Sequence, residues 1–457
     1  MTSENGSGIE VKKLGVLPII RHFLNRLGVR EIIDGHTPKP GSEVSNGECI
    51  EALLMAIFLD KEHALSRVGG LLDGYDLTSL FRPSVTANHF HDTRLGECLD
   101  DLYERAPTIY GDIVAKAIRE FKLVIRKLNL DASKILLHGD YRCFEDYMEH
   151  ADTVAFPDRG WNPEGRLDLK QLLLELVNTE ENIPLLYAVG NGNASETKEY
   201  LRLMQRLDTI QADVSKAVLA VDSKACAPAT LAEAALQKLR LVTLVPETYS
   251  LREKLVTQAA TEELPILLRT EDGVEYRGRS FRIPSLIDFE REEITETHGV
   301  LWRYLVVYSS QKAEQEVERR NREIQDEREE LEKKLEKFSR TKLFACETDA
   351  TQEIAAWVKG LKLSYHNVSG TPRAGVVQKG RGRPSGNGTK TSDREGWGVA
   401  FTFEAIKQPD FKYDPDAMFV LLTTVNDGRV LNDTDLLEGY RGRNIIPDFR
   451  VLIVHSG

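Results

Sequence analysis

Two aspartates set in strand-like apolar runs constrain this chain more than any other feature. Asp131 lies within Lys127 to His138, which alternates like a strand, and Asp222 closes Ala217-Val218-Leu219-Ala220-Val221. A carboxylate in an apolar strand is costly to bury without a partner. Two of them on neighbouring strands repel each other unless a divalent cation sits between them. A lone Asp at a strand end is ordinarily a turn former, so the elements around the pair decide its meaning.

Those elements come in a restrictive order. Lys127 to His138, Asp168 to Val177 and Ile183 to Val189 read as strands, with Thr179-Glu180-Glu181-Asn182 as the hairpin turn between the last two. Ser195 to Leu207 reads as a helix with Leu201, Met204 and Leu207 on one face. Lys216 to Asp222 is a strand, Pro228 to Leu239 a helix and Leu241 to Val245 a strand. Three strands that can be antiparallel are followed by two crossovers that add parallel strands. The expected fold class is therefore α/β, a ribonuclease-H-like mixed sheet with flanking helices over residues 127–249. In that layout the first and fourth strands are neighbours, which brings Asp131 and Asp222 together.

The flanking regions read differently. Residues 1–126 form an all-α N-terminal domain, a DNA reader or a scaffold. Leu17 to Leu27 is a stripe stopped by Gly28, and Ser45 with Glu48 looks like the cap of the apolar run Ile50 to Leu59. Residues 250–425 read as a long α+β insertion, with a strand at Tyr304 to Tyr308 and a charged helix from Lys312 to Leu343. Val317, Ile324, Leu331 and Phe338 recur there every seven residues. Asn321 and Arg328 spoil the second seam, so packing against the parent domain or a helix hairpin is expected. A Gly/Lys/Arg-rich loop at Val377 to Thr391 and a strand at Met418 to Thr424 follow. Residues 426–457 return to the core, with a short helix from Asp433 to Asn444.

Composition limits the function classes. The formal net charge is −12, so nucleic-acid binding has to come from local patches. Five scattered cysteines form no Cys-x-x-Cys pair, which fits a reducing cytosol and no structural zinc. Met1 to Glu10 is not a signal peptide, and the longest wholly apolar run, Ala52 to Leu59, is too short to span a bilayer. A soluble cytoplasmic protein with no membrane partner is expected. No Gly-x4-Gly-Lys-Ser/Thr loop is present, which argues against an ATP-driven mechanism.

Two facing carboxylates bind Mg²⁺ or Mn²⁺ through oxygen, and paired ions can clamp a phosphodiester; a third acid normally completes such a cage. Elsewhere, Lys379-Gly380-Arg381-Gly382-Arg383-Pro384 contains an AT-hook core, in which Arg381 and Arg383 would lie along an A·T minor groove. A flexible basic linker fits the same composition. His89-Phe90-His91-Asp92 lacks a second ligand cluster and reads as a turn or cap. His138 beside Asp140 reads as an ordinary strand-end histidine or a group supporting the metal site.

Several segments taken in order resemble insertion-sequence transposases with an Asp-Asp-Glu active site, of the group marked by a tyrosine–arginine–glutamate–lysine signature. Asp131-Ala132-Ser133 followed by Gly139-Asp140-Tyr141 matches the first-aspartate block. Arg166-Leu167-Asp168-Leu169-Lys170-Gln171 matches the opening of the second strand, with Leu for the usual Pro. Gly192-Asn193-Ala194-Ser195-Glu196-Thr197 matches the segment after the third strand, and Val221-Asp222-Ser223 the second-aspartate block. Trp302 to Ser309 and Phe419 to Tyr440 resemble parts of the family's insertion and its exit.

The resemblance implies a DNA hydrolase and strand transferase with Mg²⁺ or Mn²⁺ held by Asp131 and Asp222. Its partners would be double-stranded DNA, both terminal inverted repeats and target, and it implies a homodimer on paired ends in a bacterial or archaeal cytosol. It also assigns DNA contacts to Lys170, Tyr440 and Arg443. The signature then breaks. The family's glutamate would fall at Pro447 and its lysine at Val454, three residues before Gly457. Proline would break the presenting helix, and Asp448 and Glu438 are not at its helical angle. The expectation is a truncated, inactive transposase; the alternative is a non-catalytic DNA-binding regulator of the parent element.

Overall fold

The structure is a computed structural model that describes residues 12–60, 64–139, 155–210, 214–284, 301–378, 394–406, 411–441 and 454–455. Seven helices come first: α1 (Leu17–Leu27), α2 (Val29–His36), α3 (Asn46–Leu59), α4 (Leu65–Leu72), α5 (Leu77–Leu80), α6 (Asp92–Tyr103) and α7 (Ala106–Phe121). Local chemistry sets their ends. Gly28, at φ 64°, closes α1 and opens α2, a backbone angle that favours glycine. The capping box of α3 is complete: Ser45 Oγ accepts from Glu48 N at 3.1 Å and Glu48 Oε2 accepts from Ser45 N at 2.9 Å. His91 caps α6, its Nδ1 accepting from Arg94 N at 3.2 Å, and His89 Nδ1 accepts from Thr86 N at 3.2 Å. Both histidines of the His89–Asp92 cluster are thus occupied as caps. Leu17, Ile33, Met55, Leu72, Leu80 and Leu95 fill the core of this helical region.

The chain then enters a sheet. Its first part comprises β1 (Lys127–His138), β2 (Lys170–Thr179), β3 (Pro184–Gly190), α8 (Glu196–Gln205), β4 (Val218–Val221), α9 (Pro228–Leu236) and β5 (Arg240–Leu244). After it come α10 (Ser250–Thr261), β6 (Ile266–Arg269), β7 (Glu275–Pro284), β8 (Leu301–Ser309), α11 (Ser310–Thr341), α12 (Glu347–Lys359), β9 (His366–Gln378) and β10 (Arg394–Ala405). The last elements are β11 (Met418–Thr423), α13 (Asp433–Arg441) and β12 (Val454–His455). Among the described residues the main sheet runs β3-β2-β1-β4-β5-β11-β8-β7-β6, with β12 beside β1, while β9 and β10 form a separate two-stranded sheet. β1, β2 and β3 are antiparallel, β4 is parallel to β1, and β5 is parallel to β4. That is the strand order and sense of the ribonuclease-H-like layout. The β2–β3 turn closes through Thr179 N to Ile183 O at 2.9 Å, with Asn182 at φ 63°.

The chain divides into two compact units, Met1–Arg252 with Ser280–Leu305 and Val420–Gly457, and Glu253–Arg279 with Val306–Phe419. In the first, β11 pairs antiparallel with β5 (Leu421 with Leu244, Thr423 with Val242), so this strand of the 250–425 span belongs to the sheet. In the second, the heptad stripe of α11 is only partly covered. Leu331, Leu335 and Phe338 are buried whereas Val317 is 48% exposed. Phe338 packs on Trp357 of α12 and Phe401 of β10, ring centroids 4.4 and 5.6 Å apart. The stripe thus packs within its own unit.

The β9–β10 hairpin escapes the sequence reading because Gly370, Pro372 and Gly375 interrupt β9 and a bulge lies between Gly396 and Gly398. Val377, read as the start of a basic loop, is still in β9. Arg381 and Arg383 lie outside the described residues.

Glu327 ties α11 to the entry of β9. Its carboxylate accepts from Ser364 N at 2.6 Å and Tyr365 N at 2.9 Å and meets His366 Nδ1 at 2.9 Å. Burial pushes this carboxyl up, but those hydrogen bonds prevail and hold it below the ordinary range. A lowered folded value means stability present above the ordinary glutamate pKa of about 4.3 and lost as pH falls through the folded value. Glu327→Ala should cost about 2 kcal/mol at pH 7, since two backbone donors lose their acceptor. The difference from wild type in urea unfolding should shrink in acid; a difference independent of pH would refute this role.

Candidate functional site

β1 is where the sheet changes sense, antiparallel to β2 on one side and parallel to β4 on the other. The parallel register pairs Lys127 with Val218, Leu128 with Leu219 and Asn129 with Ala220. Continued for two residues beyond the last paired position, this register would set Asp131 opposite Asp222, one residue past the end of β4. Level residues of parallel strands share a face, and the strands lie about 4.8 Å apart. β4 stops at Val221 while β1 continues to His138, so the sheet opens beside the pair. Ligand sites of open α/β sheets form at such carboxyl ends, where strand order reverses.

Each aspartate is half-buried and locally fixed. Asp131 Oδ1 accepts from Ala132 N at 2.9 Å. Asp222 Oδ1 accepts from Lys224 N at 3.0 Å, capping the short turn that follows, and Thr243 Oγ1 donates to the Asp222 carbonyl at 2.5 Å. These contacts orient the two carboxylates. Carboxylate oxygens are hard donors of the kind that Mg²⁺ and Mn²⁺ take. Among the described residues no group of three or more His, Cys, Asp or Glu side chains is placed to hold a metal ion.

Two neighbours escaped the sequence reading. Asn129 and Asn178 are register partners on β1 and β2, two residues from Asp131 on the same face, each 1% exposed. Asn129 Nδ2 reaches Thr179 O at 3.4 Å, and both Oδ1 atoms lack a hydrogen-bond donor among the described residues. The signal was present as two polar residues in apolar runs.

The remaining expected residues divide. Lys170 pairs with Leu137, six positions along β1 from Asp131, or roughly 20 Å at strand rise; the structure does not bring it to the acids. Tyr440 is half-buried on α13, which packs against β4 and β5. It follows the buried Leu436 and Leu437 by one turn and so shares their face. Glu438 is exposed and turned about 150° from that face. Asp140, Arg443, Pro447 and Asp448 lie outside the described residues. Val454, where the sequence resemblance would put a lysine, is extended and pairs parallel with Leu137 of β1.

No helix among the described residues is long and apolar enough to cross a membrane. No curated protein matches the chain. A family model described as a domain of unknown function, DUF4277, matches residues 9–115, the stretch that holds α1 to α6 and most of α7. That domain is commonly the N-terminal domain of insertion-sequence transposases, which gives the helical region of this chain a transposase context.

Proposed function

We propose that this chain is the DNA-acting protein of an insertion sequence, a transposase whose ribonuclease-H-like core works on transposon ends. The observation that supports the reading is the parallel pairing of β1 with β4, whose register, Asn129 opposite Ala220, would set Asp131 opposite Asp222 if continued for two residues. The DUF4277 match and the ordered sequence resemblance support it. Asp131 and Asp222 would hold Mg²⁺ or Mn²⁺, which when bound supplies charge stabilisation for phosphodiester displacement. The chain's own residues orient the carboxylates through Ala132 N and Lys224 N and anchor the Asp222 backbone through Thr243. Tyr440 and Arg443, with Lys170, Arg381 and Arg383, are assigned to DNA, and a homodimer on paired ends is part of the same proposal.

A second reading has its own observation. Pro447 stands where the resemblance requires the third acid, and Glu438 faces away from the sheet. These favour a chain that binds its ends without cutting them. The first test is binding to DNA that flanks the gene in its genome. The full chain should shift this DNA at low salt and release it as salt rises, with a slope set by the number of phosphates contacted. Equal affinity for unrelated DNA at every salt concentration would remove end recognition from both readings.

A further inference from the structure

We infer that Arg303 is the positioning residue for α13 and, through it, for Tyr440. Arg303 lies on β8 and is 1% exposed. Its Nη2 donates to Leu431 O at 2.6 Å, and its Nη1 lies 4.0 Å from Asp433 Oδ1. A buried guanidinium is costly unless its charge is answered by oriented acceptors; here the hydrogen bond goes to the Leu431 carbonyl, two residues before α13, and the charge faces Asp433, its first residue. Ser280 Oγ donates to Asp433 Oδ1 at 2.5 Å, and Arg282 Nη2 donates to Asn426 O at 3.1 Å. A β-carbon on Gly428 would lie 3.6 Å from Arg303 Nη1, so the connection passes close to the guanidinium. Asn432 Oδ1 accepts from Asp435 N at 2.8 Å and caps the helix.

Asp433 and Tyr440 are seven residues apart, two helical turns, and so share one face of α13 about 10 Å apart along its axis. Leu436 and Leu437 between them are buried. Arg303 therefore fixes one end of the face whose other end carries Tyr440. This inference rests on the proposed function for its meaning, because Tyr440 matters there as a DNA contact, but its geometry is testable without DNA.

The test places meta-fluorotyrosine at position 440 of the full chain and compares wild type, Arg303→Met, Arg303→Lys and Asp433→Asn. In the folded state the fluorine resonance should move in Arg303→Met and Asp433→Asn, and Arg303→Lys should return part of the way. Amide exchange over Leu431 to Tyr440 should speed up about tenfold in Arg303→Met while α3 and α6 keep their protection. A residue that only adds global stability would lower the melting temperature and leave the folded resonance unmoved. An unmoved resonance in Arg303→Met, or in Asp433→Asn should Arg303→Met not fold, overturns the inference. A moved resonance in a chain that binds no end DNA would overturn the proposed function and leave the positioning role standing.

Discussion

Asp131→Asn and Asp222→Asn should each weaken Mn²⁺ binding by about tenfold or more, roughly 1.4 kcal/mol, and the double variant should abolish it. Asparagine keeps the shape of aspartate and an oxygen acceptor, so the Ala132 N and Lys224 N contacts can persist while the charge goes. The same substitutions should raise the stability of the cation-free chain by about 0.5–1 kcal/mol, because two level carboxylates repel each other. Mg²⁺ should raise the melting temperature of wild type and not of the variants, since only the folded pair binds it. Aspartates that merely end strands would give the opposite pattern: no change in cation affinity, and stability unchanged or lower. Calorimetric Mn²⁺ titration together with urea unfolding distinguishes the two.

Glu51→Ala should be among the most damaging substitutions in the helical region, at about 3–5 kcal/mol. Glu51 has no exposed surface, accepts from Arg30 Nε at 3.0 Å and from Arg30 Nη2, and lies 3.8 Å from Arg21 Nη1. Both guanidinium groups lie over Phe81 at 5.8 and 5.7 Å, and Glu48 Oε1 lies 3.7 Å from Arg30 Nη1, so removing the Glu51 carboxylate leaves two largely buried cations with Glu48 as the remaining ion-pair partner of Arg30. Burial pushes the Glu51 carboxyl up despite Arg30 and Arg21. A raised folded value contributes stability below the ordinary glutamate range and loses it as pH rises through the folded value. At neutral pH the network is therefore held by the cost of breaking it, and a joint Glu51→Leu and Arg30→Met change should cost less than Glu51→Ala alone. Urea unfolding of the two variants checks this; a joint variant as unstable as Glu51→Ala would refute it.

What the sequence makes legible follows from periodicity. β1 to β5 and their crossovers are local patterns of period 2 and 3.6, so their order, and with it the neighbouring of β1 and β4, can be read before any coordinates. The Ser45 box and the Gly28 stop are legible because caps are chemical signatures. The β9–β10 ribbon is not, because glycine and proline in its strands imitate a loop and its apolar face acquires meaning only against Phe338 and Trp357. Arg303 is hidden for another reason. Within Trp302 to Ser309 it looks like the solvated residue of an alternating strand, and only the return of residues 431–433 shows what it holds. Asn129 and Asn178 become a pair only through strand register.

The most direct measurement is cleavage. The full chain would be incubated with labelled DNA carrying the sequences that flank its gene, across a range of Mg²⁺ and Mn²⁺ concentrations, beside the Asp131→Asn variant. The proposed function predicts a nick at the element boundary leaving a 3′ hydroxyl, present in wild type and lost in the variant. DNA that is bound yet uncut at every cation concentration would contradict catalysis by this chain and leave the binding-only reading, which Pro447 favours.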